Sequence, residues 1–171
     1  MTRFNFRSLN VVAGILLTVG GCDTARMPTA YAVSDYQAVR MPSSGARMSA
    51  SGSGTASKVI GPEGGKLNVG QYVLTFPAGA LSQPTEIGMQ SVAGYAGVDV
   101  SPHGLTFPAG HEPELSLSYK GADLLGIHVL AVGYVGEDGN LDEVLPSLVD
   151  LRDRSVSADL HHFSRYLTVG H

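Results

Sequence analysis

The one thiol of the chain, Cys22, stands directly behind Val19-Gly20-Gly21, at the end of a mostly apolar stretch over 9–19. A thiolate is a strong nucleophile, so a lone cysteine in such a setting is a candidate for covalent modification. A single cysteine also forms no intrachain disulfide, so the fold must be stabilised by its core. The six histidines, His103, His111, His128, His161, His162 and His171, show no zinc-site spacing. His161, His162 and His171 offer at most a weak metal contact. Asp138, Asp142, Glu143 and Asp150 lie close in sequence but lack the spacing of a helix–loop–helix calcium loop, and read as a solvated acidic surface. There is no Gly-x-Ser-x-Gly elbow and no phosphate-cradling loop, and an acidic chain alone assigns no carboxylate pair for glycoside cleavage. No cofactor and no metal is expected.

The thiol is explained by its surroundings. Arg3 and Arg7 make a basic start, an apolar stretch follows, and small residues precede Cys22; this is the order of a secretory leader. The cysteine behind Val19-Gly20-Gly21 resembles the lipobox of bacterial lipoproteins, which implies a diacylglycerol on the Cys22 sulfur and cleavage in front of it. Two readings compete. The apolar stretch could anchor the chain, but about 11 residues of helix rise only ~17 Å against a hydrocarbon core of ~30 Å. A leader peptidase could cut after Ala30-Tyr31-Ala32, but that small-x-small site lies far beyond the apolar stretch, behind Arg26 and Pro28. Asp23 resembles the inner-membrane retention signal of enteric lipoproteins, a rule that other bacteria do not follow, so the membrane stays open. The expected organisation is a leader over 1–21, a lipidated Cys22 with a disordered linker over 22–57, and one folded domain over 58–171.

The linker is expected from its composition. Residues 43–55 are almost all Ser, Gly, Ala and Thr, with little apolar surface to offset the entropy of ordering. A coil of about 35 such residues reaches ~30–35 Å, enough to hold a folded head off a bilayer. From Val59 onward there are five basic and thirteen acidic residues. That balance argues against nucleic acid and against direct adhesion to anionic headgroups.

The domain reads as strands. Period-two alternation runs over 71–76, 85–92 and 114–119, placing Ile87 with Met89 on one face and Leu115, Leu117 and Tyr119 on another. A valine-rich run at 128–135 reads as a longer, central strand. Glu137-Asp138-Gly139-Asn140 reads as a hairpin turn built on Asp-Gly. Runs at 148–151, 156–160 and 165–169 complete the set. With Gly and Pro punctuating at short intervals, the expected fold is all-β, an antiparallel β-sandwich.

One hexapeptide occurs twice: Leu74-Thr75-Phe76-Pro77-Ala78-Gly79 and Leu105-Thr106-Phe107-Pro108-Ala109-Gly110. Each copy is expected to end a strand on an aromatic plug, with proline removing the next ladder donor. Two copies are too few for a repeat architecture and mark two similar corners. Gly61-Pro62-Glu63-Gly64-Gly65, the first hexapeptide with Ala80-Leu81-Ser82, and Pro84-Thr85-Glu86-Ile87 resemble the opening of the ZU-five family, shared by zonula occludens proteins, netrin receptors and ankyrins. Val100-Ser101-Pro102-His103-Gly104-Leu105-Thr106-Phe107 resembles its second signature. The resemblance spans 59–164 and implies a β-sandwich with a protein-binding or scaffolding role.

The same resemblance draws attention to His162-Phe163-Ser164, similar to a His-Phe-Ser site at which some relatives cut their own backbone. Ser164 would attack the Phe163 carbonyl, His162 or His161 would serve as general base, and water would resolve the ester. Such a step needs a strained peptide. The competing reading is a structural corner in which Phe163 fills the core. The sequence thus points to a lipid-anchored, extracytoplasmic binding or scaffolding module of the bacterial cell envelope. Its partners would be a membrane, through the lipid on Cys22, and an envelope or extracellular protein. The alternatives are a self-cleaving module cutting between Phe163 and Ser164 and a carbohydrate-binding module. The last would need an exposed aromatic platform, and the chain has no tryptophan.

Overall fold

A computed structural model of the chain describes residues 32–42 and 54–171. After one 3-10 turn (Val33–Asp35) come β1 (Gln37–Ala38), β2 (Thr55–Ile60), β3 (Gly65–Val69), β4 (Tyr72–Phe76), β5 (Thr85–Ser91) and β6 (Gly97–Ser101). They are followed by β7 (Glu114–Ser118), β8 (Leu130–Val135), β9 (Leu141–Leu145), β10 (Leu148–Asp150), β11 (Ser155–Asp159) and β12 (Arg165–Gly170). One sheet runs β2-β5-β6-β12-β8-β9, with β1 also paired to β12; the other runs β10-β11-β7-β4-β3. Every named strand pair is antiparallel. The protein is an all-β sandwich.

The alternation read from the sequence sets which side chains meet between the sheets. Ile87, Met89, Val98, Val100, Val132 and Tyr166 from the first sheet face Leu74, Leu115, Leu117 and Val156 from the second, all essentially without solvent contact. Burying a side chain of this size contributes about 1.5–3 kcal/mol each. β8 lies between β12 and β9, inside its sheet. The 136–140 turn closes the hairpin as Asp-Gly chemistry demands: Gly139 has φ 83°, and the Asp138 carboxylate accepts from the Asn140 backbone N–H (3.0 Å) and side-chain amide (2.6 Å). Those bonds hold its carboxyl below the ordinary range.

The expected linker needs correction. Residues 33–41 form a strap whose β1 joins the first sheet along β12, and Thr55–Ser57 belong to β2. Gln37 and Ala38 pair with Gly170 and Val169. Val39 is buried; its N–H donates to the Thr168 carbonyl (2.9 Å) and its carbonyl accepts from Ala96 N–H (3.1 Å). The reason lies in β12. Its partner β6 pairs only with Arg165–Leu167, so the same edge of β12 is open beyond Leu167, and the strap fills it. Leu167 and Val169 also point away from the main core, into a second cluster with Ala131 and Val135 that Tyr36, Ala38 and Tyr95 cover. Tertiary pairing thus orders a segment whose composition alone would not.

A second correction concerns the hexapeptides. The first copy does end a strand, β4. The second lies outside the named strands; Thr106 makes an isolated bridge to His162, and β6 has already ended at Ser101.

Candidate functional site

The two hexapeptides converge on the tripeptide that the sequence singled out. Phe163 is fully buried. Its ring packs edge-on against Phe76 of the first copy (5.9 Å, 83°) and Phe107 of the second (4.9 Å, 60°), and those two rings also meet at 6.4 Å. The backbone around it is paired as a short ribbon with the 104–107 segment. Phe163 N–H donates to the Leu105 carbonyl (2.9 Å), the Phe163 carbonyl accepts from Gly104 N–H (2.9 Å), and Phe107 N–H donates to the His161 carbonyl (3.3 Å). The Ser164 carbonyl accepts from Val100 N–H (2.9 Å).

The ionisable groups nearby clamp this corner. The Asp99 carboxylate accepts from His103 Nε2 (2.7 Å) and from Arg165 Nε and Nη2 (3.2 and 3.1 Å). His103 precedes the Gly104 donor and Arg165 follows Ser164, so Asp99 ties the turn to the start of β12. Partly exposed pairs of this kind contribute at most about 1 kcal/mol each. The Tyr166 hydroxyl donates to the His162 carbonyl (2.5 Å). Burial, then the neighbouring Tyr134 and Glu143, push the Tyr166 phenol well above its ordinary value, so it stays a donor.

For self-cleavage, the Gly104 N–H is suitably placed to polarise the Phe163 carbonyl. The other parts are engaged elsewhere. The His162 ring stands edge-on to Tyr134 (4.8 Å, 84°), and its Nδ1 is 3.5 Å from the Tyr166 hydroxyl. His161 Nδ1 faces Glu112 Oε1 at 3.7 Å. Among the described residues, Ser164 Oγ has no hydrogen-bond partner, and the non-glycine residue in the left-handed region is Arg154 (φ 50°), not Phe163 or Ser164. Cys22 lies outside the described residues.

A second region carries no signal in the sequence. Between the 119–130 segment and the 151–154 turn lies a groove of about 450 Å³, lined by Tyr119, Leu124, Ile127, Leu130 and Leu151, with His128 and Arg154 as its cationic or polar members. It adjoins β10, an edge strand whose Leu148 (78 % exposed) and Val149 (41 %) face solvent, as does the following Leu151 (79 %). These residues come from two loops and from strands β8 and β10, so no spacing in the chain signals the groove.

No family model matches this chain, and no curated protein matches it. Among the described residues no helix is long and apolar enough to cross a membrane, and no group of three or more His, Cys, Asp or Glu side chains is arranged to hold a metal ion.

Proposed function

We propose that this chain is a lipid-anchored binding module of the bacterial envelope: a β-sandwich of the ZU-five type, tethered through Cys22 and presenting a docking surface without turning over a substrate. The observation that carries the binding role is the solvent-facing run of Leu148, Val149 and Leu151 beside the groove, on a chain whose other large apolar side chains are mostly inside. Exposed aliphatic patches on a stable fold mark interaction sites. Among the described residues, the exposed large apolar ones are Val59, Leu125, Leu148, Val149 and Leu151. None is aromatic, which favours a polypeptide partner over a sugar ring. The basic start, apolar stretch and Val19-Gly20-Gly21-Cys22 support the tether. Expressing Cys22→Ser and fractionating cells tests it. Release of the variant into the soluble fraction agrees with the proposal, and retention in the membrane pellet contradicts it.

Self-processing at Phe163–Ser164 is the second reading, favoured by the Gly104 N–H on the Phe163 carbonyl. Intact-mass measurement decides it: a fragment beginning at Ser164 supports cleavage, and one uncut chain after days at neutral pH removes it.

A further inference from the structure

Besides the two-residue β1, which pairs only with β12, the strands at the ends of the two sheets are the four β2, β9, β10 and β3. An open edge is a template for another strand, and natural edges are guarded by lysine, charge, proline or twist. Three of the four are guarded in this way. β2 carries Lys58, whose ammonium reaches the Lys66 carbonyl on β3 (3.2 Å). β3 carries Lys66, and β9 carries the exposed Asp142 and Glu143. β10 presents Leu148 and Val149 instead. Its one charge, Asp150, is turned to local use, accepting from Arg152 N–H (2.8 Å) and Asp153 N–H (2.9 Å).

Charge singles out the same place. Three of the five basic residues beyond Val59, namely Lys120, Arg152 and Arg154, lie on the two turns that border the groove. Among the described residues none of the three makes an ion pair. Arg154 is also held in a strained left-handed backbone conformation (φ 50°). Its carbonyl accepts from Tyr119 N–H (2.9 Å) and Ser118 Oγ (3.4 Å), which fixes the turn. Strain of this sort persists where the surroundings impose it, and it clusters at ligand sites.

We infer that β10 and the adjoining groove take an extended polypeptide segment of a partner, added as a strand along the β10 edge, with aliphatic side chains toward Leu148 and Leu151 and a carboxylate against Arg154. The inference rests on the binding role proposed above and names its surface. β10 has three residues, so main-chain bonds alone give weak binding; the groove and the carboxylate contact supply the rest. A second copy of this chain fits less well, because its acidic excess would oppose self-association.

The test uses the full chain and a fluorescent, N-acetylated hexapeptide alternating threonine and valine, with a free C-terminal carboxylate or as its amide. Anisotropy titrations should show saturable binding of the acid form. Arg154→Gly keeps the left-handed backbone and removes the guanidinium; it should weaken the acid form about tenfold, as for loss of one charge-assisted hydrogen bond, and leave the amide form nearly unchanged. Val149→Lys installs the missing edge guard at an exposed position and should abolish binding of both forms. Equal affinity of acid and amide, binding that survives Val149→Lys, or no binding of either peptide overturns the inference. So does preferential binding of dodecanoate, which would make the groove a lipid site. Self-association that Val149→Lys abolishes would reassign the edge to a second copy. Cellular cross-links from other faces that persist in Val149→Lys would leave the binding role standing while this surface assignment falls.

Discussion

Replacing Phe163 with alanine removes a fully buried ring held edge-on by two others at 5.9 and 4.9 Å. Truncating a buried phenylalanine costs about 3–5 kcal/mol. Two close ring contacts, each contributing about 0.5–1.5 kcal/mol beyond area, place this site at about 4–5 kcal/mol. Phe163→Leu keeps most of the volume and loses the ring contacts, for about 1–2 kcal/mol. Ser164→Ala removes a half-buried hydroxyl without a partner and stays within about 0.5 kcal/mol. With an m-value of about 2 kcal/mol/M, the urea midpoints should fall by about 2 M, about 0.5–1 M and less than ~0.3 M. A double-mutant cycle of Phe163 with Phe107 should return a coupling of about 0.5–1.5 kcal/mol. Equilibrium urea unfolding followed by far-ultraviolet dichroism, with the m-value checked for constancy, measures all of these. A midpoint loss for Phe163→Ala below that of Ser164→Ala would refute the reasoning, because the tripeptide would then not be anchored through its ring.

Tyr72 and Tyr166 are both raised above 10.0 by burial, so the folded state keeps two protons that the unfolded chain releases. Their stabilisation is complete below pH 10 and declines as the pH rises beyond it, with a slope approaching about 1.4 kcal/mol per pH unit for each tyrosine; unfolding curves between pH 9 and 11.5 measure it. The Tyr72 hydroxyl is buried without a hydrogen-bond partner, although the Gly97 backbone offsets part of its burial. Tyr72→Phe should therefore raise stability by about 1 kcal/mol and remove its share of that slope, as checked by thermal and urea unfolding. A methyl group on Gly97 would overlap the Tyr166 carbonyl oxygen and the Leu167 side chain; Gly97→Ala should cost about 1–3 kcal/mol in the same assay. Val39→Asp places a charge in the buried strap contact and should expose the Thr168 and Ala96 amides to hydrogen exchange while those of β4 and β7 stay protected.

The sequence made the fold class legible wherever one strand face is buried. The alternation at 71–76, 85–92 and 114–119 became β4, β5 and β7, with Ile87, Met89, Leu115 and Leu117 inside. It hid β3 because Gly64-Gly65 reads as punctuation although the strand begins at Gly65. It hid β2 because an edge strand with one buried residue shows no alternation. The strap could not be read because its order comes from the open half of the β12 edge. Phe163 was visible as a candidate core residue, and the doubled hexapeptide hinted at paired corners. That both copies meet on Phe163 is a fact of packing alone. β10 was visible as an apolar strand; its exposure was not, since Leu148 and Val149 look no different in sequence from buried residues.

The most direct measurement is photo-cross-linking in intact cells, with a photoreactive residue at Val149 in the full-length chain and, as control, at Asn68 on the exposed face of β3. A binding module that docks through β10 gives a discrete adduct from position 149 and none from position 68. Equal labelling at both positions, or none at either, would contradict it.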